Sequence, residues 1–168
     1  MTIAGFDPGL NRTGFGVVKN LKNLSVAGFG VIAPDPKQSF SDRLAEIYFS
    51  ARRLLQEYLP DIVAVEEVYF ATNPQTTLKI GVVRGLLFAA ALEQKLEIAS
   101  FSPAEVKMAV TGRGNAAKEQ VQYLVRAELK LKEEIPEDSA DALAVCLCYL
   151  KNQKYEMELK KGCLGLKK

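Results

Sequence analysis

Histidine is absent from this chain of 168 residues, and cysteine occurs only three times. Without histidine the chain lacks the most common general base and the imidazole that most often binds metals. The three cysteines are odd in number and form no CxxC pair, which argues against a zinc site and against a secreted disulfide framework. Carboxylates therefore remain as the chemical groups, and their hard oxygen atoms favour Mg²⁺ or Mn²⁺.

The chain also has little excess charge, no signal-peptide pattern and no long uninterrupted apolar run. The formal net charge of +2 does not by itself indicate nucleic-acid binding, which depends on where the 22 Lys and Arg residues lie. The apolar run near residues 80–92 is interrupted by Arg84 and is short for a membrane span. We expect a soluble, cytoplasmic protein without a membrane partner: one domain over 1–152 and a charged, flexible tail over 153–168.

The hydrophobic pattern predicts an α/β fold with a mixed five-stranded sheet flanked by helices. Short polar connections between the first three strands predict an antiparallel arrangement. The sequence Ser102-Pro103-Ala104-Glu105 is a capping box with proline at the first helical position, a specific helix-start signal. The predicted strands cover 2–6, 13–19, 24–33, 61–66 and 97–101, and the other predicted helices cover 41–58, 75–95, 116–130 and 138–152.

Four acidic residues stand where their charge is costly. Asp7 and Glu66 each close a buried, strand-like run, and burial of a carboxylate costs free energy unless a cation compensates it. Asp138 and Asp141 are three residues apart at the start of a helix and share one face. Converging carboxylates would repel one another, whereas a pair of divalent cations would turn them into a ligand set. The neighbouring Glu67 faces the other side of its strand, and we expect it to pair with a basic residue.

These motifs resemble the RuvC family of crossover (Holliday) junction endonucleases. The resemblance is carried by Gly5-Phe6-Asp7-Pro8-Gly9, by Val65-Glu66-Glu67-Val68-Tyr69, and by Asp138-Ser139-Ala140-Asp141-Ala142-Leu143-Ala144. It implies a ribonuclease-H-like fold and a homodimer that cuts two opposed strands of a four-way DNA junction. It also implies that Asp7, Glu66, Asp138 and Asp141 are catalytic and hold the metal, Mg²⁺ or alternatively Mn²⁺, with two ions per site. Some members of the family have histidine where this chain has Asp138.

Several basic and aromatic side chains are candidates for DNA contacts. The resemblance places Lys107 and Lys118 near the cleaved phosphate and Tyr69 on the bases at the junction centre. Arg113 is flanked by glycines that let backbone amides approach a phosphate. Lys79 and Arg84 lie on the long apolar helix near the expected site, and that helix is also the candidate dimer seam. The resemblance further implies the branch-migration proteins RuvA and RuvB as partners.

Three other functions are compatible with parts of the pattern. The segment from Asp7 to Gly16 also resembles the first phosphate loop of actin-like sugar kinases and ATPases, but those proteins need a second domain of the same kind. A non-catalytic DNA-binding or scaffold domain would use the acidic residues only as helix caps and ion-pair partners. A nuclease of the same fold could act on RNA, because no residue in the sequence indicates recognition of a 2′-hydroxyl.

Overall fold

The computed structural model describes residues 1–67 and 73–165, with side chains up to residue 159. Within these ranges the chain forms five strands and five helices in the predicted order. The strands are β1 (Thr2–Asp7), β2 (Thr13–Asn20), β3 (Leu24–Ile32), β4 (Ile62–Glu66) and β5 (Glu97–Phe101). The helices are α1 (Phe40–Tyr58), α2 (Pro74–Glu93), α3 (Pro103–Thr111), α4 (Lys118–Glu128) and α5 (Glu137–Gly165).

The strands form one mixed sheet in the order β3-β2-β1-β4-β5. Strands β1, β2 and β3 pair antiparallel, as their short connections predict, whereas β1 and β4 run parallel. Phe6 pairs with Val65 in that parallel ladder, so the next residues, Asp7 and Glu66, end neighbouring strands at the same edge. The predicted α/β class with a mixed five-stranded sheet is confirmed.

Helices cover both faces of the sheet, and each face has its own core. Helices α1 and α2 pack on one face around Ala4, Phe6 and Val63. Helices α3, α4 and α5 pack on the other face around Ile3, Val18 and Ile62. Because strand residues alternate between faces, Asp7 and Glu66 lie on the same side as Ile3 and Ile62, towards α5.

Glycines in β1 and β2 allow α5 to lie directly on the sheet. A Cβ atom on Gly5 would overlap the backbone oxygen of Ala142, and one on Gly14 would overlap that of Asp138. The buried hydroxyl of Ser139 donates a hydrogen bond of 2.9 Å to the carbonyl of Gly30 and fixes the start of the helix to β3. The close contact therefore brings the first turns of α5 to the strand end that carries Asp7.

Helix α5 is longer than the sequence predicted. It continues from residue 152 to Gly165, because the added segment is rich in Lys, Glu, Met and Leu, which favour helices. No helix end marks the predicted boundary at 152, and the division of the chain there stays a prediction. The sequence predicts that the apolar run of α2 is short for a membrane span, but the whole helix is long and apolar enough to cross a membrane. A single helix of this kind is weak evidence for a membrane span, because a helix packed on a sheet can have the same composition.

Candidate active site

Four carboxylates lie near one another at the edge of the sheet where β1 and β4 end; we call Asp7, Glu66, Asp138 and Asp141 the carboxylate cluster. Asp7 and Glu66 are joined by a side-chain hydrogen bond. Asp138 and Asp141 extend from the first turns of α5 and raise the pKa of Asp7 through their charge. The structure thus brings together residues that are 134 positions apart in the sequence, from 7 to 141.

Burial and mutual repulsion make the cluster unusually basic for carboxylates. Burial raises the pKa of Asp7 to about 7, and the charges of Asp141 and Asp138 add to this effect. Burial, followed by the charges of Asp7 and Asp141, raises the pKa of Glu66 to about 8. The pKa of Asp141 is also raised, mainly by burial. Near neutral pH, Asp7 and Glu66 can therefore share a proton in their hydrogen bond instead of carrying two full charges.

Two cations compensate part of the remaining charge. Arg12 donates a hydrogen bond of 2.7 Å from Nε to Oδ2 of Asp138. Lys118, the first residue of α4, bonds Asp141 at 2.9 Å and also contacts Glu137. Burial alone would lower the pKa of Lys118, but these two carboxylates raise it above its usual range. Both of the α5 aspartates are thus held by the chain's own cations.

The donor set fits a hard divalent cation by its chemistry. It consists of carboxylate oxygens alone, and its surplus negative charge raises the pKa of its own members. In the described part of the chain, no three acidic side chains converge closely enough to hold a metal ion. Asp138 and Asp141 are instead each engaged with a cation of the chain, Arg12 and Lys118 respectively.

A cavity of about 190 Å³, which we call the active-site cavity, opens beside the cluster on the α3–α5 face. Two acidic residues, Glu66 and Asp141, and two basic ones, Lys107 and Lys118, are among its lining residues. Lys107 is half-buried on α3, and among the described residues it forms no ion pair. Two lysines thus line the same cavity as two of the carboxylates.

The other predicted DNA contacts lie outside this cavity. Arg113 is exposed beyond the α3 cap at Gly112, which has a φ of 76° that favours glycine. Arg84 is engaged within the chain: it donates to Ser100 at 2.8 Å and stacks 4.8 Å above the centre of the Phe88 ring. Glu67 lies 4.0 Å from Arg84, as expected for a residue that pairs with a cation. Tyr69 lies outside the described residues.

Sequence reasoning missed the partners that fix the cluster. Arg12 follows Asp7 by only five positions, but its ion pair with Asp138 depends on the docking of α5 and has no local signal. Arg43 of α1 donates to the carbonyl of Leu10 at 3.0 Å and to the side chain of Asn11, and so anchors the loop after β1. The Asp7-Pro8-Gly9 motif indicated a turn, and the structure shows that Thr13 closes it through a 2.6 Å bond to the carbonyl of Gly9.

Comparisons with known proteins agree with this geometry. The family model for the crossover junction endodeoxyribonuclease RuvC matches residues 3–149. The Trichlorobacter lovleyi relative of that name is 39% identical over 163 residues, which cover 96% of this chain and 90% of the relative. The Natranaerobius thermophilus relative is 41% identical over 160 residues, which cover 94% and 98% of the two chains.

Solved structures show the same fold. Thermus thermophilus RuvC superposes with a TM-score of 0.85 at 33% identity and covers 93% of this chain and 97% of its own. The same protein in complex with a Holliday junction substrate has a TM-score of 0.86 at 33% identity, with coverage of 93% and 96%. The fold is ribonuclease-H-like, as the sequence motifs implied. This chain belongs to the RuvC family of crossover junction endodeoxyribonucleases.

Proposed function

We propose that this protein is an endonuclease that resolves four-way (Holliday) DNA junctions by paired, metal-dependent hydrolysis of two opposed strands during recombination and repair. The observation that carries the proposal is the carboxylate cluster at the sheet edge, with Lys107 and Lys118 in the cavity beside it. An acidic cluster flanked by ammonium groups suits phosphodiester hydrolysis, because the acids can hold cations while the lysines hold the substrate's phosphate. The similar Thermus thermophilus protein was solved with a Holliday junction substrate, which supports the same substrate here.

The cluster would hold two Mg²⁺ ions, with Mn²⁺ as the alternative, through Asp7, Glu66, Asp138 and Asp141. When bound, the ions would activate the attacking water and stabilise the departing oxygen of the phosphodiester. Asp7 and Glu66 would give up their shared proton on loading, because a ligating carboxylate must be deprotonated. Asp138 and Asp141 would turn an oxygen to the ions, and Arg12 and Lys118 would then be able to pair with DNA phosphates.

Lys107 and Lys118 are our proposed contacts to the cleaved phosphate, and Arg113 and Lys79 are proposed contacts to the backbone outside it. Lys118 changes partner in this scheme, from Asp141 and Glu137 in the free protein to a phosphate oxygen in the complex. Arg84 remains a predicted contact, although its guanidinium is engaged with its own chain. The stacking of Tyr69 on junction bases also remains a prediction.

We infer that the protein acts as a homodimer joined through α2. Five small or apolar residues recur along α2 at alternating intervals of four and three, which is the spacing of a coiled-coil seam. All five are exposed on the single chain: Leu78, Val82, Gly85, Ala89 and Leu92. A two-fold dimer would present two equal sites to two symmetry-related strands. RuvA and RuvB as partners, and the cytoplasm as the location, follow from the family and stay part of this proposal.

Cleavage of a synthetic four-way junction with a mobile core tests the function directly. Wild type should nick two opposed strands symmetrically in Mg²⁺ and leave a linear duplex of the same arms intact. EDTA should abolish cutting, and so should Asp7→Asn, which keeps the size of the side chain but removes a ligand charge. Asp7→Asn should still bind the junction. Cutting by Asp7→Asn at a rate near that of wild type would refute the assignment of the cluster.

A further inference from the structure

A second cavity, of about 370 Å³, opens on the opposite face of the sheet from the active-site cavity. Its lining comes from the loop after β1, from α1 and from the first turns of α2. Three cationic side chains line it, Arg12, Arg43 and Lys79, and no carboxylate does. We call it the basic cavity. A concave surface with three positive charges and no acidic group favours a polyanionic ligand.

The cations of the basic cavity are largely uncompensated. Within the ranges that the structure describes, neither Arg43 nor Lys79 has a carboxylate within ion-pair distance. Arg43 is nevertheless held in place, because its Nη2 donates to Leu10 and Asn11, while its buried Nε has no hydrogen-bond partner there. A guanidinium that is fixed by neutral groups keeps its whole charge for a ligand, and the ordering cost is already met in the free protein.

Arg12 connects the basic cavity with the carboxylate cluster. It lines the cavity and also binds Asp138 through Nε alone, which leaves its terminal nitrogens for a second partner. The cluster is therefore flanked by cations on two sides: Lys107 and Lys118 on the α3–α5 face, and Arg12 with Arg43 and Lys79 beyond the loop after β1. If one phosphate of a DNA strand binds at the carboxylates, the strand on one side of that phosphate would cross the first cationic surface. The strand on its other side would cross the second.

We propose that the basic cavity holds a backbone phosphate of the cut DNA strand, next to the scissile phosphate and on the side away from Lys107 and Lys118. This inference rests on the proposed nuclease function and adds a phosphate subsite to it. Arg43 supplies the fixed charge, Lys79 an exposed one, and Arg12 adds its terminal nitrogens while its Nε stays on Asp138. The subsite sets the direction of the strand across the cluster without reading its bases.

Salt dependence of junction binding is the first part of the test. Binding is measured in Ca²⁺ or EDTA, without cleavage, for wild type, Arg43→Gln and Lys79→Gln. Each lost phosphate contact should make the plot of log affinity against log salt shallower by about 1. Arg53→Gln, an exposed arginine further along α1, is the matched control and should keep the wild-type slope. Because Lys79 makes no hydrogen bond or ion pair within the described part, its variant tests the cavity without loosening the loop that Arg43 anchors.

Junctions with one uncharged backbone linkage identify which DNA phosphate occupies the basic cavity. Each junction of the set carries a single methylphosphonate in place of a phosphate, at successive positions beside the cleavage site. For wild type, one position on one side should weaken binding about tenfold, and the same linkage should cost Arg43→Gln and Lys79→Gln little. Equal losses for wild type and both variants at every position, or unchanged salt slopes, would overturn the subsite while leaving the nuclease function intact. If wild type binds neither junction nor duplex, the proposed function fails and the subsite fails with it.

Discussion

At the scale of single residues, the site is organised by charge that the fold leaves incompletely compensated. Four carboxylates share one sheet edge, and among the described residues only Arg12 and Lys118 form ion pairs with members of the cluster. Burial first, and then the negative charge of the neighbouring carboxylates, raises the pKa values of Asp7 and Glu66. Under the proposed function a divalent cation would convert this repulsion into attraction, which would offset the cost of burying the acids.

The raised pKa values predict how the stability of the metal-free protein depends on pH. Asp7 and Glu66 hold protons more tightly in the folded than in the unfolded chain, so this contribution to stability is lost as pH rises through about 7 to 8. Glu66→Gln removes one of the two ionisations. In EDTA the variant should melt higher than wild type at pH 8.5, by about 3 °C for each kcal/mol regained in a domain of this size, and the difference should shrink as pH falls and vanish only below the ordinary carboxyl pKa of about 4.

Thermal melting at pH 8.5 and at successively lower pH, followed by circular dichroism, measures this effect. Glu67→Gln is the matched control, because it removes a carboxylate one position along the chain that pairs with Arg84 instead. Saturating Mg²⁺ should raise the melting temperature of wild type more at pH 8.5 than at pH 6, since ligation requires deprotonated acids. A Glu66→Gln variant less stable than wild type at pH 8.5 in EDTA would contradict the charge argument.

The Arg12–Asp138 pair predicts a gain in metal affinity when the arginine is removed. Arg12→Gln frees Asp138 and removes a positive charge beside the cluster. The side chain of Arg12 is 54% exposed, so solvent screening limits the effect to about 1 kcal/mol, or about fivefold in dissociation constant. Titration with Mn²⁺ followed by electron paramagnetic resonance measures it without catalysis, with Arg53→Gln as the control. Unchanged or weaker Mn²⁺ binding would show that Asp138 is not held back by Arg12.

At the scale of elements, the site depends on how closely α5 approaches the sheet. Gly5 and Gly14 leave no side chain between β1, β2 and the helix, and Ser139 adds a hydrogen bond to β3. The helix that carries Asp138 and Asp141 is thus positioned by the strand that carries Asp7 and by its neighbour. This close contact makes the position of α5 relative to β1 and β2 a property of the packed core.

Hydrophobic periodicity predicted the order and type of the elements because each strand and helix has one face in a core. The strand ends were predictable in the same way: Asp7 and Glu66 follow buried runs, and the parallel pairing of β1 with β4 makes them neighbours. The partners Arg12 and Arg43 could not be predicted, since their contacts link segments that only tertiary packing brings together. The extent of α5 beyond residue 152 was missed because a polar, charged segment resembles a tail when its helix propensity is not weighed.

Helix α2 offers a test of the dimer at this scale. A Cβ atom on Gly85 would meet nothing within 4 Å in the single chain, so Gly85→Leu fits the monomer and should stabilise its helix by about 0.8 kcal/mol. In a close two-fold seam the same leucine would force the two helices apart. Sedimentation velocity at micromolar concentration should show a dimer for wild type and a monomer for Gly85→Leu. Ala45→Leu, at an exposed position of α1, is the control and should stay dimeric. A monomeric wild type would rule out the seam.

At the scale of the whole molecule, the sheet separates two cores and places the chemistry at the edge that both share. Cations lie on either side of the cluster, in the active-site cavity and in the basic cavity. The apolar stripe of α2 remains exposed on the face that carries α1. The proposed dimer surface on α2 and the proposed DNA site at the sheet edge are therefore separate surfaces of one chain. Membership in the RuvC family favours this nuclease interpretation over a sugar-kinase-like or purely DNA-binding one.

If the protein is a dimer with two independent active sites, inactivation of one site should change the product of cleavage from linear to nicked DNA. In a plasmid with an extruded cruciform, two incisions within one complex give a linear product, whereas one incision gives a nicked circle. Mixed dimers of wild type and Asp7→Asn, separated by different affinity tags, should produce nicked circles almost exclusively, because only one site retains its full ligand set. Wild-type dimers carried through the same purification are the control and should give linear product. Linear product from the mixed dimers at the wild-type yield would mean that one site cuts both strands, and the two-fold model of resolution would have to be abandoned.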